Sequence, residues 1–136
     1  VITDPTHTAT NGHDIGLRFC QAASLDRADR WHADIPWSLS DWMTALTGEV
    51  GEAANIIKKL NRHRDGLATD RDPSSVDLYA ELATELADVL AYLLPLASAA
   101  GVDLAAAFVR KFNTVSERQG WTDLTLAELR PTRAFD

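Results

Sequence analysis

Between Trp37 and Gln119 the apolar positions recur at spacings of three and four residues, the period of one helical face. Leu39, Met43, Leu46, Val50, Ala53, Ile57 and Leu60 make one continuous stripe. Ser38 or Ser40 can cap that helix after Pro36, since a serine oxygen accepts an unpaired first-turn N–H. A second stripe runs through Leu78, Leu82, Leu86, Val89, Leu93 and Leu96, and predicts a helix starting near Ser74 or Ser75. Pro95 is expected to kink it or end it early. Ala100-Gly101 is a stop; Asp103 can cap a further helix through about Arg118, closed by Gly120. Upstream, Ile15, Phe19, Ala22 and Ala23 share one side of a helix from about His13 to about His32.

The intervening stretches carry breakers and charge. Trp31 to Trp37 contains Asp34 and Pro36 and reads as a connection. Asn61 to Ser75 holds Gly66, Pro73 and, between Arg64 and Asp72, five Asp or Arg side chains, and reads as an exposed, mobile loop. No segment alternates strictly enough for a strand. The expectation is an all-α chain: a four-helix bundle in residues 13–120, an N-terminal arm over 1–12, and a C-terminal tail over 121–136. Leu124, Leu126 and Leu129 could dock that tail on the body. The breadth of the two central apolar faces points to a homo-oligomer, a homodimer or homotetramer.

Length, charge and cysteine count narrow the function classes. The 136 residues suffice for one domain with a core. A net charge of −7 disfavours a nucleic-acid polymer as partner, because phosphate backbones require a basic footprint. A nucleotide substrate is still compatible, since a bound cation inverts the local sign. Cys20 is the lone cysteine and can form no internal disulfide, which suits a reducing compartment. Val1 to Asn11 lacks the basic and apolar regions of a signal peptide, and the apolar runs read as too short for a bilayer. A cytoplasmic location without a membrane partner is the expectation.

Two acidic pairs carry the candidate chemistry. Glu49 and Glu52 lie in Gly48-Glu49-Val50-Gly51-Glu52, and Glu85 and Asp88 in Glu85-Leu86-Ala87-Asp88. A spacing of three turns both carboxylates of a pair to one side of a helix, on the flank of its apolar stripe. If the stripes pack together, four carboxylates meet across one groove, where they repel unless a cation sits among them. Such all-oxygen sets suit Mg²⁺, which leaves positions for water and phosphate. Solvated helix faces usually interleave Glu with Lys or Arg at three or four residues' distance. None of these four acids has a basic residue at those offsets. A di-iron carboxylate bundle is disfavoured, because no Glu is followed three residues later by His. Gly48 and Gly51 leave the helix bare beside the first pair, which makes room for a bulky ligand.

With Leu-Thr-Gly-Glu-Val-Gly-Glu-Ala, then Glu-Leu-Ala-Asp-Val-Leu-Ala-Tyr-Leu, then Gly101-Val102-Asp103-Leu104, the chain resembles the MazG-like all-α nucleoside triphosphate pyrophosphohydrolases. It resembles most the compact branch containing the dCTP pyrophosphatases, over roughly Trp31 to Trp121. The resemblance implies Mg²⁺-dependent hydrolysis of an NTP or dNTP to the monophosphate and pyrophosphate, with Mn²⁺ as a substitute ion. Glu49, Glu52, Glu85 and Asp88 are then the metal ligands, and one of the first pair activates water. Lys111 and Arg118 offset phosphate charge, Lys111 with a catalytic share, and Asn113 reaches phosphate or metal water. Trp37, then Trp31, stacks the base, and Tyr92 touches base or sugar. Trp42 is expected in the core. Lys59, where some relatives have an aromatic, the long linker between the acidic motifs, and Thr84 in place of a frequent Glu depart from the pattern and bear on base preference. The rival from another class is a non-catalytic helical module that oligomerises or regulates a partner.

Overall fold

The computed structural model describes residues 16–129. The expected start of the first helix at His13, the whole of the expected N-terminal arm, and residues 130–136 of the tail lie outside the described residues. Four helices follow one another: α1 (Leu17–Trp31), α2 (Leu39–Arg64), α3 (Ser75–Ala99) and α4 (Leu104–Gln119). The all-α expectation holds, with the helices close to where the periodicity put them.

The helix ends follow local chemistry. Ser38, not Ser40, caps α2: its Oγ accepts from the Asp41 N–H while the Asp41 carboxylate accepts from the Ser38 N–H, a closed capping box. Ser74 stands before α3 with its hydroxyl accepting from the Asp77 N–H and donating to the Asp77 carboxylate. Asp103 caps α4 by accepting from the Ala106 N–H. Gly101 and Gly120 end α3 and α4 at φ 67° and 76°, backbone that an L side chain rarely adopts.

Two expectations are narrowed. Of the kink or early end expected at Pro95, the early end does not occur, and α3 continues to Ala99. The proline removes one intrahelical bond, and the burial of Leu94, Ala97 and Ser98 around it holds the helix together. The Asn61–Ser75 segment is mostly exposed, as expected, but its first residues are helical. α2 extends through Arg64, and the remaining loop is tied down at both ends. Asp72 accepts from the Thr69 N–H and hydroxyl at 2.8 and 3.0 Å, the Arg62 guanidinium donates to the Leu67 carbonyl at 3.1 Å, and the His63 Nε2 lies 2.8 Å from the Pro73 carbonyl.

The chain divides into two compact units, residues 37–96 and the remainder. In the second of these, α1 packs on α4. Gln21, fully buried on α1, donates to the Val102 carbonyl at 2.7 Å and the Ser98 hydroxyl at 3.3 Å, and accepts from the Leu104 N–H at 3.1 Å. Beside it the Arg18 guanidinium grips the capping Asp103 carboxylate at 2.7 Å. One side chain thus satisfies three groups at the α3–α4 turn. Gln21→Ala strands a buried N–H and a buried carbonyl. It is expected to cost about 2–4 kcal/mol of unfolding free energy, read by urea denaturation.

The other unit is the antiparallel hairpin of α2 and α3, and it carries both acidic motifs. Trp42, Ala53 and Ile56 of α2 and Leu78 of α3 are buried, the last completely. The apolar stripes are only partly used. Leu39, Met43, Val50 and Ile57, and Val76, Tyr79, Leu86 and Leu90, are exposed. α3 is also long and apolar enough, by length and composition, to cross a membrane, contrary to the reading of its sequence.

Candidate metal and nucleotide site

Glu49 sits two turns from buried Trp42 and one from buried Ala53 on α2, so its side chain turns toward α3, where Glu85 and Asp88 turn toward α2. One carboxylate oxygen from each of Glu49, Glu85 and Asp88 lies within 4.8 Å of the other two, and all three residues are half-buried. Glu52, more exposed, lies near enough to Glu85 to raise its carboxyl. The two pairs found in the sequence therefore meet, each from its own helix.

Their electrostatics are those of an unneutralised anion cluster. The Glu49 carboxyl is pushed above the usual carboxylate range, first by loss of water contact and then by the charges of Glu52, Asp88 and Glu85. Glu85 is raised in the same way, by desolvation, by the charges of Glu52 and Asp88, and by Glu81. Three surface acids elsewhere behave oppositely. Asp41, Asp65 and Asp72 are lowered, by hydrogen bonds from Ser38, Arg64 and Thr69 respectively. The chain thus partners its peripheral carboxylates and leaves the convergent ones facing one another. A donor set of hard oxygens with excess negative charge fits a divalent cation such as Mg²⁺.

An aromatic cluster adjoins the acids within the same hairpin. Tyr92 follows Asp88 by one helical turn. Its ring lies 6.4 Å from that of Trp37 at an interplanar angle of 11°, and 6.4 Å from that of Trp42. Trp37 and Trp42 are 4.6 Å apart. Trp42 is in the core, as expected, while Trp37 is half-exposed. Gly48 and Gly51 have open space where a Cβ would stand, so the bare helix surface beside Glu49 and Glu52 is free of packing.

The remaining candidates lie on the other unit. Trp31 ends α1, 76% exposed, with its ring against that of His32. Lys111 and Arg118 are exposed on α4. Asn113 departs from its expected role. It is buried, and both ends of its amide are committed to the tail: Nδ2 donates to the Leu126 carbonyl at 2.9 Å, and Oδ1 accepts from the Leu126 N–H at 2.8 Å. The amide matches a peptide unit edge to edge, so Asn113 clasps the C-terminal segment instead of facing a ligand. Asn113→Leu is expected to speed amide exchange at Leu126 by at least about 10-fold, the loss of ~1.4 kcal/mol of protection, measured by hydrogen–deuterium exchange.

The described residues are all-α, and Glu49, Glu85 and Asp88 converge from two of the helices with Glu52 beside them. The chain belongs to the MazG family: its residues 38–121 match the MazG nucleotide pyrophosphohydrolase domain. It is also 35% identical over 74 residues to the Gene 37 protein of Mycobacterium phage L5. That stretch is 54% of this chain and 60% of the phage protein, so the match spans less than two thirds of that relative. The matched domain contains α2, α3 and α4, and with them both acidic pairs.

Proposed function

We propose that the chain hydrolyses a nucleoside or deoxynucleoside triphosphate to the monophosphate and pyrophosphate, in a reaction that requires Mg²⁺. The convergence of Glu49, Glu52, Glu85 and Asp88 carries this reading. Membership of a nucleotide pyrophosphohydrolase family supports the reaction class, and the all-oxygen donor set supports the ion. Bound there, Mg²⁺ supplies Lewis acidity, drawing electron density from phosphate oxygens and from water.

The protein's own groups do the rest. One carboxylate of the Glu49/Glu52 pair orients water and takes its proton as the oxygen attacks the α-phosphorus. The bond from the α-phosphorus to the bridging oxygen breaks, and pyrophosphate leaves with that oxygen. Lys111 and Arg118 are the cations we assign to the charge on the departing phosphates. Trp37 and Tyr92, near-parallel and next to the acids, are the faces we assign to the base, with Trp31 as a further aromatic contact. The test is pyrophosphate release from a panel of NTPs and dNTPs, with Mg²⁺ and with EDTA. Release only with Mg²⁺, with monophosphate in equal amount, is the expected result. A folded, Mg²⁺-loaded protein that releases none from any nucleotide refutes the proposal. Trp37→Ala is expected to raise KM by about 10-fold or more for the preferred base, with a smaller change in kcat, as the loss of one stacked face predicts.

A further inference from the structure

The hairpin of α2 and α3 sets out its chemistry in order along its length. Trp37 and Trp42 precede Glu49 and Glu52 in the chain, and Tyr92 follows Glu85 and Asp88. Because the helices are antiparallel, the three aromatic rings gather at one end of the carboxylate cluster. The cations of the hairpin stand at the other end, near the loop that joins the helices: Lys58, Lys59, Arg62, His63, Arg64 and Arg71.

Most of these cations are committed or turned away. Arg62 donates to the Leu67 carbonyl and pairs with Asp72, Arg64 pairs with Asp65, and the His63 ring lies against the Pro73 carbonyl. Arg71 is exposed in the loop beyond α2. An α-helix turns about 100° per residue, so Lys58 projects about 120° away from Glu52. Lys59, seven residues after Glu52, projects within about 20° of it and about 10 Å further along α2. Lys59 is half-buried, yet among the described residues it forms no ion pair or hydrogen bond, with Glu81 or any other carboxylate. It does not offset the acid cluster either, since the charges that raise Glu49 and Glu85 all belong to carboxylates. An ammonium drawn partly out of water without a partner is costly. On a long flexible stem, it is also a point charge suited to phosphate.

We infer that Lys59 binds the terminal phosphate of the nucleotide and so sets a preference for triphosphates over diphosphates. The inference rests on the reaction proposed above. With the base at the aromatic end and the α-phosphorus at the carboxylates, the outer phosphates extend toward the loop, along the flank where Lys59 stands. When the bond from the α-phosphorus to the bridging oxygen breaks, that oxygen takes its electron pair into the leaving pyrophosphate. Lys59 holds the far end of the same anion. A diphosphate is one phosphate shorter and ends before it reaches the ammonium.

A purely structural lysine would lay its stem over apolar surface and keep its charge in water. Lys59→Met separates the two roles, because it keeps an unbranched stem and removes the charge. With Mg²⁺ present, Lys59→Met is expected to lower kcat/KM for the preferred triphosphate, and to raise the Ki of inorganic pyrophosphate, by at least about 10-fold each, while the Ki of the matching nucleoside diphosphate changes by less than about 3-fold. Lys59→Arg, which keeps the charge, retains the preference, and Lys58→Met behaves as wild type. Helicity by circular dichroism is unchanged in all three. Calorimetric titration with Mg²⁺ and inorganic tripolyphosphate reads the contact without turnover, and Lys59→Met is expected to bind at least about 10-fold more weakly than wild type. An active Lys59→Met that distinguishes triphosphate from diphosphate as wild type does overturns the inference and leaves the reaction standing. A wild type that hydrolyses no nucleotide refutes the reaction instead, and the titration then decides for Lys59: equal tripolyphosphate binding by wild type and Lys59→Met overturns its role.

Discussion

Glu85→Gln is expected to lower kcat/KM for Mg²⁺-dependent pyrophosphate release by at least about 10³-fold, or ~4 kcal/mol of transition-state stabilisation, while making the metal-free protein more stable. The two effects have one source. Glu85 sits among Glu49, Glu52 and Asp88, and its carboxyl is raised by desolvation and by their charge. Glutamine keeps the shape and the hydrogen-bonding reach toward Glu52 but removes the charge that a divalent ion needs. Assayed with urea denaturation alongside, a loss of activity without a loss of stability separates a ligand from a structural residue. An inactive variant that is also less stable than wild type would mean that Glu85 supports the fold.

The second large effect is on stability as a function of pH and metal. Glu49 and Glu85 have folded pKa values above their unfolded ones. Between those values the native state binds more protons than the unfolded state, so stability falls as pH rises. Below the unfolded pKa both states are protonated and the penalty vanishes; above the folded pKa it is fully present. The stability advantage of Glu85→Gln over metal-free wild type should therefore be near zero at about pH 4 and grow toward neutrality. Asp41, Asp65 and Asp72 are lowered and lose their contribution on acidification, but they do so equally in both proteins and cancel in the difference. Mg²⁺ reverses the comparison. At 100 times its Kd a native-state ligand adds about 2.7 kcal/mol, so wild type should gain more than the variant, and more at pH 8 than at pH 5. Thermal melts of both proteins at the two pH values, with Mg²⁺ and with EDTA, read this directly.

Much of this was legible in the sequence because it rests on local rules. Ser38, Asp103 and Gly120 act at the positions their chemistry suits, and the period of α2 and α3 placed those helices. The acidic pairs stood out because three-residue spacing joined them and no Lys or Arg lay within a helical turn. Their convergence depended only on α2 and α3 meeting along those flanks. What the sequence left undecided depends on partners far along the chain. A stripe wide enough to cover two faces does not say which half turns inward. Here Trp42, Ala53 and Ile56 do, with Glu49 among them, and Val50 and Ile57 do not. Asn113 looks like any polar helix residue until the tail folds back to Leu126. Gln21 gives no local sign that it serves Val102 and Leu104 more than eighty residues away. Pro95 reads as a breaker because its neighbours' burial is a tertiary fact. The Arg62–Asp72 and His63–Pro73 contacts, too, hold a loop whose composition reads as open.

The most direct test of the central claim is turnover of the preferred nucleotide in ¹⁸O-labelled water with Mg²⁺, with both products analysed by mass spectrometry. Attack of water on the α-phosphorus predicts one ¹⁸O in the monophosphate and none in pyrophosphate. Label in pyrophosphate, or release of diphosphate and inorganic phosphate instead, would contradict the chemistry assigned to the four carboxylates.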